Sequence, residues 1–262
     1  MRARQASERF MWLSADRILY VGLLGAPTTR VMGSINVYVP ASGHVRLRVA
    51  GGPWRCGEMA VVQPYVPHEV STDAALVLAI QIEAETVDVA ALPSRLALSG
   101  VADDRAFVDR VRDSAEWMRQ RGDGLDLATI EFDERLFGAA LLRRDIDPRI
   151  ARVIDFIRRD PTRAAAARDC AALVGLSFSR FLHLFRQEIG APFRGFRTWK
   201  RARSLLNYVN RDINLAHVAL DVGYPDSTHF SHSIRQIYGL RPKDIFAGSR
   251  RLAIYSPAQR PA

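Results

Sequence analysis

Between Arg17 and Glu83 the apolar residues come in short runs of strand length: RILYVGLL, RVMGSINVYVP, GHVRLRVAG, EMAVVQP and ALVLAIQIEA. GAPTT, PASG, GGPWRCG and PYVPH separate them with turn chemistry. HVRLRV alternates apolar and basic side chains with a period of two, as a strand with one wet face does. Strands at this spacing predict an antiparallel sandwich or small barrel. After Asp103 the period lengthens. Phe107, Val108, Val111, Ala115 and Met118 recur at helical spacing, with Asp103 or Asp104 placed to cap the start. Gly122 and Gly124 interrupt, and Leu127, Ile130, Leu136 and Leu141 outline a second helix. This helical pair either packs on its own domain or meets a second subunit. Asp147-Pro148 is an N-cap with Pro at the first helical position, and Ile150, Val153, Ile154 and Ile157 form the stripe of the helix it opens. Beyond Pro161 the pattern stays helical almost to the end, broken at Gly175, Gly190, Gly223 and Gly239.

A single unit occurs twice within that helical region. SFSRFLHLFRQEIG (177–190) and DSTHFSHSIRQIYG (226–239) share an aromatic, a His, an Arg and a closing Gly, each 49 residues apart. Upstream, CAALVGL and VALDVGY match through Ala171 and Ala219, Val174 and Val222, and Gly175 and Gly223; Pro225 adds one residue to the second copy. Each copy reads as a helix, a sharp turn at Gly and a second helix capped by Ser177 or Asp226. That is the requirement of a helix-turn-helix: a small residue for close crossing, a Gly free to take a left-handed backbone, and a capping oxygen. Phe181, Leu184 and Phe185 face inward in the first copy, as do Phe230 and Ile234 in the second. Ser179, Arg180, Leu182, His183 and Arg186 are left outside or at the edge, with Thr228, His229, Ser231, His232 and Arg235 their counterparts. Short polar and basic side chains on one helix face suit base edges and phosphates. Between the copies, PFRGFRTWKRARSLLNYV forms a helix with Phe196, Trp199, Ala202, Leu205 and Leu206 on its apolar side, which fixes the relation of the two units.

Charge changes the picture further. Residues 1–147 carry 17 Arg against 20 Asp and Glu, a net −3, whereas residues 148–262 carry 20 Arg and Lys against 8 acids, a net +12. A basic second half predicts a polyanionic partner. Cys56 and Cys170 stand in different halves without metal-ligand spacing, so neither a disulfide framework nor a zinc site is expected. No apolar run reaches the ~18–20 residues of a bilayer span, and the basic N-terminus lacks a signal-peptide core. A cytoplasmic protein without membrane contact is the expectation.

On the motifs AALVGLSFSRFLHLFRQEIGAPF and VALDVGYPDSTHFSHSIRQIYGLRP, residues 148 to 246 resemble the DNA-binding domain of AraC/XylS-type transcription regulators. The resemblance implies two units in adjacent major grooves of double-stranded DNA, and contact with RNA polymerase if the protein is an activator. Many members place Arg where His183 and His232 stand here. Neutral His makes one or two hydrogen bonds where Arg offers guanine a bidentate fork, which changes the expected base preference.

The first half resembles the cupin-like sensor domain that often precedes this module. Gly57, Pro64, Pro67 and His68 match a cupin's second motif, but His44 stands alone, without the His-x-His and Glu cluster of a metal-dependent cupin. The expectations are therefore an α+β chain of two domains: an antiparallel cupin-like β barrel (1–100) with helices (101–147, a linker or dimerisation pair), and an all-α double helix-turn-helix domain (148–250, units near 165–190 and 213–239), then a tail (251–262). The predicted function is a sequence-specific transcription regulator under a small-molecule effector, as a monomer or a homodimer. Tyr38, Trp54, Tyr65 and His68 are the candidate effector-pocket residues. No catalytic residue, metal or cofactor is expected; the alternative is a metal-dependent cupin enzyme with an accessory DNA-binding tail.

Overall fold

The computed structural model describes residues 8–122, 125–163 and 165–256. The expected break at Gly124 and the end of the tail lie outside them. The strands are β1 (Phe10–Leu13), β2 (Arg17–Gly22), β3 (Ser34–Pro40), β4 (Val45–Val49), β5 (Arg55–Gly57), β6 (Met59–Val62), β7 (His68–Thr72), β8 (Val77–Glu83), β9 (Gly100–Ala102) and β10 (Ala253–Tyr255). The helices are α1 (Ser94–Ala97), α2 (Arg105–Arg121), α3 (Thr129–Phe137), α4 (Pro148–Arg159), α5 (Ala167–Leu173), α6 (Phe178–Ile189), α7 (Phe193–Ser204), α8 (Leu215–Asp221), α9 (Ser227–Tyr238) and α10 (Pro242–Ser249).

A seven-stranded sheet runs β10-β1-β2-β8-β3-β6-β9, and a three-stranded sheet runs β5-β4-β7. The long strands are apolar at nearly every position because both faces of the large sheet are covered. Ile35, Val37, Val39, Leu78, Ile80 and Ile82 point to one side, against Phe107, Val111, Met118 and Phe132 of α2 and α3. Tyr38, Val77 and Ala79 point to the other, where Val45, Leu47 and Val70 of the small sheet meet them. Beside that sheet, Met11, Leu13 and Ile18 share a core with Trp199, Val218, Phe230 and Ile234 of the C-terminal domain. The α2–α3 hairpin thus packs on its own domain, anchored by Arg17, whose guanidinium donates to both Asp133 oxygens at 2.8 Å.

Two expectations need correction. The β domain is two sheets and not a closed barrel. The outer edge of β1 is taken by β10 from the far end of the chain, in parallel register Phe10↔Ala253, so the large sheet extends toward the C-terminal domain and does not curl shut. In the second helix of the hairpin, Ile130 is 61% exposed and does not join the stripe. The helix begins only at Thr129, after the Glu131 carboxylate accepts from the Ala128 N–H at 2.8 Å; Leu127 and Leu141 are buried from flanking loops.

Candidate nucleic-acid interface

The repeat seen in the sequence is a repeat in space, down to its hydrogen bonds. In the first unit Gly175 takes φ +67°, the Leu176 N–H donates to the Ala171 carbonyl at 2.9 Å, and Ser177 Oγ accepts from the Arg180 N–H at 3.3 Å. In the second, Gly223 takes φ +79°, the Tyr224 N–H donates to Ala219 at 2.8 Å, and Asp226 accepts from the N–H groups of Thr228 and His229, each at 2.8 Å. The left-handed glycines end α5 and α8 and let the chain fold back at once. Ala171 and Ala219 are buried at the crossings.

Phe181 and Phe185 of α6, and Phe230 and Ile234 of α9, are buried, which leaves the opposite faces to solvent. Ser179, Arg180, His183 and Arg186 are exposed on α6 and Leu182 is half-buried; Thr228, His229, Ser231, His232 and Arg235 are exposed on α9. The His229 Nδ1 lies 2.7 Å from Asp226, so this imidazole is held by the residue that caps its own helix.

α7 joins the two units by belonging to both cores. Phe193 and Phe196, in its first half, pack edge-on against Phe185 of α6 at 5.1 and 5.3 Å between ring centres. Trp199, Ala202 and the following Leu205 enter the core of the second unit. One face of α7 also meets the sensor domain in a buried charge cluster. Glu83 accepts from Trp199 Nε1 at 3.0 Å and from Lys200, and Lys200 also reaches Glu85. Arg203 Nε lies 2.8 Å from the other Glu83 oxygen, at ion-pair distance without hydrogen-bond alignment. Burial opposes the Glu83 charge most strongly, but the Lys200 and Arg203 charges and the hydrogen bonds outweigh it and hold the carboxyl below its ordinary pKa. Arg158 with Asp16 at 2.6 Å, and Arg203 to the Ser14 carbonyl at 2.6 Å, extend the junction.

A second feature lies at this junction. A cavity of about 360 Å³ is lined mostly by apolar groups of both domains, including Met11, Tyr20, Met32, Leu206 and Leu252, together with Gln81, the cation Arg30 and Asp244, whose carboxylate is paired with Arg241. Arg30 is 6% exposed, and its Nε and Nη2 have no hydrogen-bond partner among the described residues. A buried guanidinium without a carboxylate is costly unless an anion joins it. Of the four residues expected to line a pocket, Tyr38 lines this cavity. His68 lies behind it: Nδ1 is 2.9 Å from the Val66 carbonyl, so it carries the proton, and Nε2 accepts from Tyr38 Oη at 2.9 Å. Burial first, and the Arg30 charge as well, lower its pKa to about 4. Tyr65 lines a different groove, and Trp54 is 41% exposed, with Arg48 stacked 5.1 Å over its ring. The Arg30 signal was absent from the aromatic pattern that suggested those four; a basic residue opening the RVMGSINVYVP run was its only trace.

Among the described residues no group of three or more His, Cys, Asp or Glu is placed to hold a metal ion, and no helix is long and apolar enough to cross a membrane.

Comparison with known proteins places these features. Residues 170–248 match a family described as "Helix-turn-helix domain". Invasion protein InvF of Salmonella typhi and of Salmonella typhimurium is 32% identical over 72 residues, 27% of this chain. The match spans one third (33%) of the length of these relatives. The fold as a whole is similar to ToxT from Vibrio cholerae O395, at TM-score 0.59 and 11% identity over 89% of this chain and 98% of the other. It is also similar to the unsaturated-fatty-acid-bound ToxT of Vibrio cholerae strain SCE256, at TM-score 0.53 and 12% identity over 90% and 96%. The likeness to ToxT extends across both domains.

Proposed function

We propose that this chain is, by its C-terminal domain, an AraC/XylS-type regulator that reads two adjacent major grooves of duplex DNA through α6 and α9 and regulates transcription there. The observation that carries this reading is the duplicated helix-turn-helix, with matching turns and caps and both reading faces free, on a segment of net charge +12. Arginines supply salt-dependent phosphate affinity, and His183 and His232 contribute to base choice. RNA polymerase is the further partner if the protein activates, a second copy of the chain is the partner if it works as a homodimer, and the cytoplasm is where this work is done. No enzymatic step forms part of this function.

An effector controls it from the cavity between the domains. The ligand that suits largely apolar walls around a buried guanidinium with two donors unfilled is an apolar carboxylate, and the fatty acid bound by the ToxT structure is of that class. Tyr38 stands beside Arg30 in this site, with His68 orienting its hydroxyl. A carboxylate at Arg30 favours whichever domain arrangement holds it better and shifts the protein toward that arrangement.

Selection of random duplexes by the purified protein tests the DNA reading. The expected product is a motif of two boxes about one helical turn apart, ~34 Å, one box altered by His183→Ala and the other by His232→Ala. A product without an enriched motif would refute it. For the effector, Arg30→Met is expected to raise the stability of the ligand-free protein and abolish the thermal shift given by a long-chain carboxylate. A shift that persists in the variant would refute the site.

A further inference from the structure

α7 carries cations on two adjoining faces, and only one face is neutralised. At about 100° per residue, Lys200 and Arg203 fall together on the side that meets Glu83 and Glu85 of the sensor domain. Arg194, Arg197 and Arg201 fall within about 60° of one another on the adjoining side, centred about 120° away. Those three line a groove of about 810 Å³ that continues to His229, His232 and Ser233 of α9, and no Asp or Glu lines it among the described residues. None of the three arginines makes an ion pair among the described residues, and Arg201 Nε is buried without a hydrogen-bond partner. Two of them lie over aromatic rings: Arg197 is 5.9 Å from the Phe193 ring and Arg201 is 5.3 Å from the Tyr224 ring. Burial, and then the adjacent Arg201 charge, weaken the hold of Arg197 on its proton.

We propose that this face of α7 is a third DNA contact, a cradle for the sugar-phosphate backbone that passes between the two boxes. The proposal rests on the reading above, that α6 and α9 enter successive major grooves. It adds what lies between them. On that reading, the backbone between the two boxes runs past the groove that α7 shares with α9. His232 stands both on the reading face of α9 and in the wall of the groove, so one ligand spans both surfaces. Planar guanidiniums stacked on aromatic rings suit phosphate oxygens, which they meet bidentately, and carry no base preference.

The test uses the full chain and a duplex recovered by selection, with binding measured across a salt series. Each phosphate contact contributes about 0.9 to the slope of log affinity against log salt concentration. Arg194→Ala with Arg197→Ala is expected to lower that slope by about 2 and to leave the selected motif unchanged, while Arg→Lys at both positions retains the slope. Arg194 is exposed, so Arg194→Ala alone tests the contact without disturbing packing, at a loss of about 1 in slope. An unchanged slope in a wild type and variant that both bind the two-box duplex would overturn the cradle and leave the two readers standing. A changed motif would make these arginines base readers and would also overturn it. A wild-type chain that binds no duplex would overturn the cradle together with the reading on which it rests.

Discussion

Replacing Glu83 with Gln removes one negative charge from a cluster that is balanced as it stands. Two carboxylates, Glu83 and Glu85, face two cations, Lys200 and Arg203, and the four side chains are 1, 4, 6 and 13% exposed. Burial decides the size of the effect. An exposed ion pair contributes roughly 0–1 kcal/mol, whereas removing one partner of a buried pair costs about 3–5 kcal/mol because the other is left charged in a poor solvent. The Gln side chain can still accept from Trp199, so the loss belongs to the charge and not to the indole hydrogen bond. Glu83→Gln is therefore expected to destabilise the chain by about 3–5 kcal/mol in urea unfolding. Arg203→Met in the same chain should recover a fraction, since Arg203 is the cation that loses its carboxylate, whereas Lys200 keeps Glu85. The lowered Glu83 pKa gives a matching acid limb. Its stabilisation is complete above the ordinary Glu range and is lost as pH falls through the lower folded-state value. A Glu83→Gln cost below about 1 kcal/mol, with no recovery on adding Arg203→Met, would refute the argument.

Three further outcomes follow from single positions. His68 has a folded pKa of about 4 against an ordinary 6.5, so the unfolded chain takes the proton first. Its contribution, on the order of 3 kcal/mol, is present above about pH 6.5 and lost toward pH 4; unfolding free energies measured from pH 7 to 4.5 should fall in the wild type and fall less in His68→Gln. Gly223→Ala is expected to be far more damaging than Gly175→Ala, as measured by thermal unfolding. Both glycines have positive φ, which costs Ala roughly 1–2 kcal/mol, but a Cβ at Gly223 would stand 2.1 Å from the Thr162 carbonyl oxygen, and one at Gly175 would meet nothing within 4 Å. Phe181→Ala and Phe230→Ala should each cost about 3–5 kcal/mol, and each should abolish the box read by its own unit in a footprint before the other.

The features legible in the sequence were those with short-range chemistry. The two helix-turn-helix units announce themselves because glycine, cap and buried aromatic must fall at fixed offsets within about 20 residues, the length of such a hairpin. The longer strands were visible for the same reason, as apolar runs bounded by turns. β1 and β10 were not, since FMWL sits in a basic N-terminal segment and AIY is three residues whose only support is a partner across the chain. The junction had no local signal at all: Glu83 and Lys200 are 117 residues apart, and neither residue looks unusual among its neighbours. Trp54 illustrates the opposite case. Aromatic character beside a cupin-like motif suggested a pocket, but the residue lies on the GGPW turn, where a stacked Arg48 gives it a surface role.

In this mechanism α7 holds two base readers at a fixed separation, and DNA of altered spacing tests that directly. Affinity would be compared for the selected two-box duplex and for one with about half a helical turn, roughly 5 base pairs, inserted between the boxes. A rigid α7, packed into both cores through Phe193, Phe196, Trp199 and Ala202, predicts that the inserted duplex binds no better than a single box, because the second box now faces away. Equal affinity for the two duplexes would mean that the units read independently, and would contradict a fixed separation.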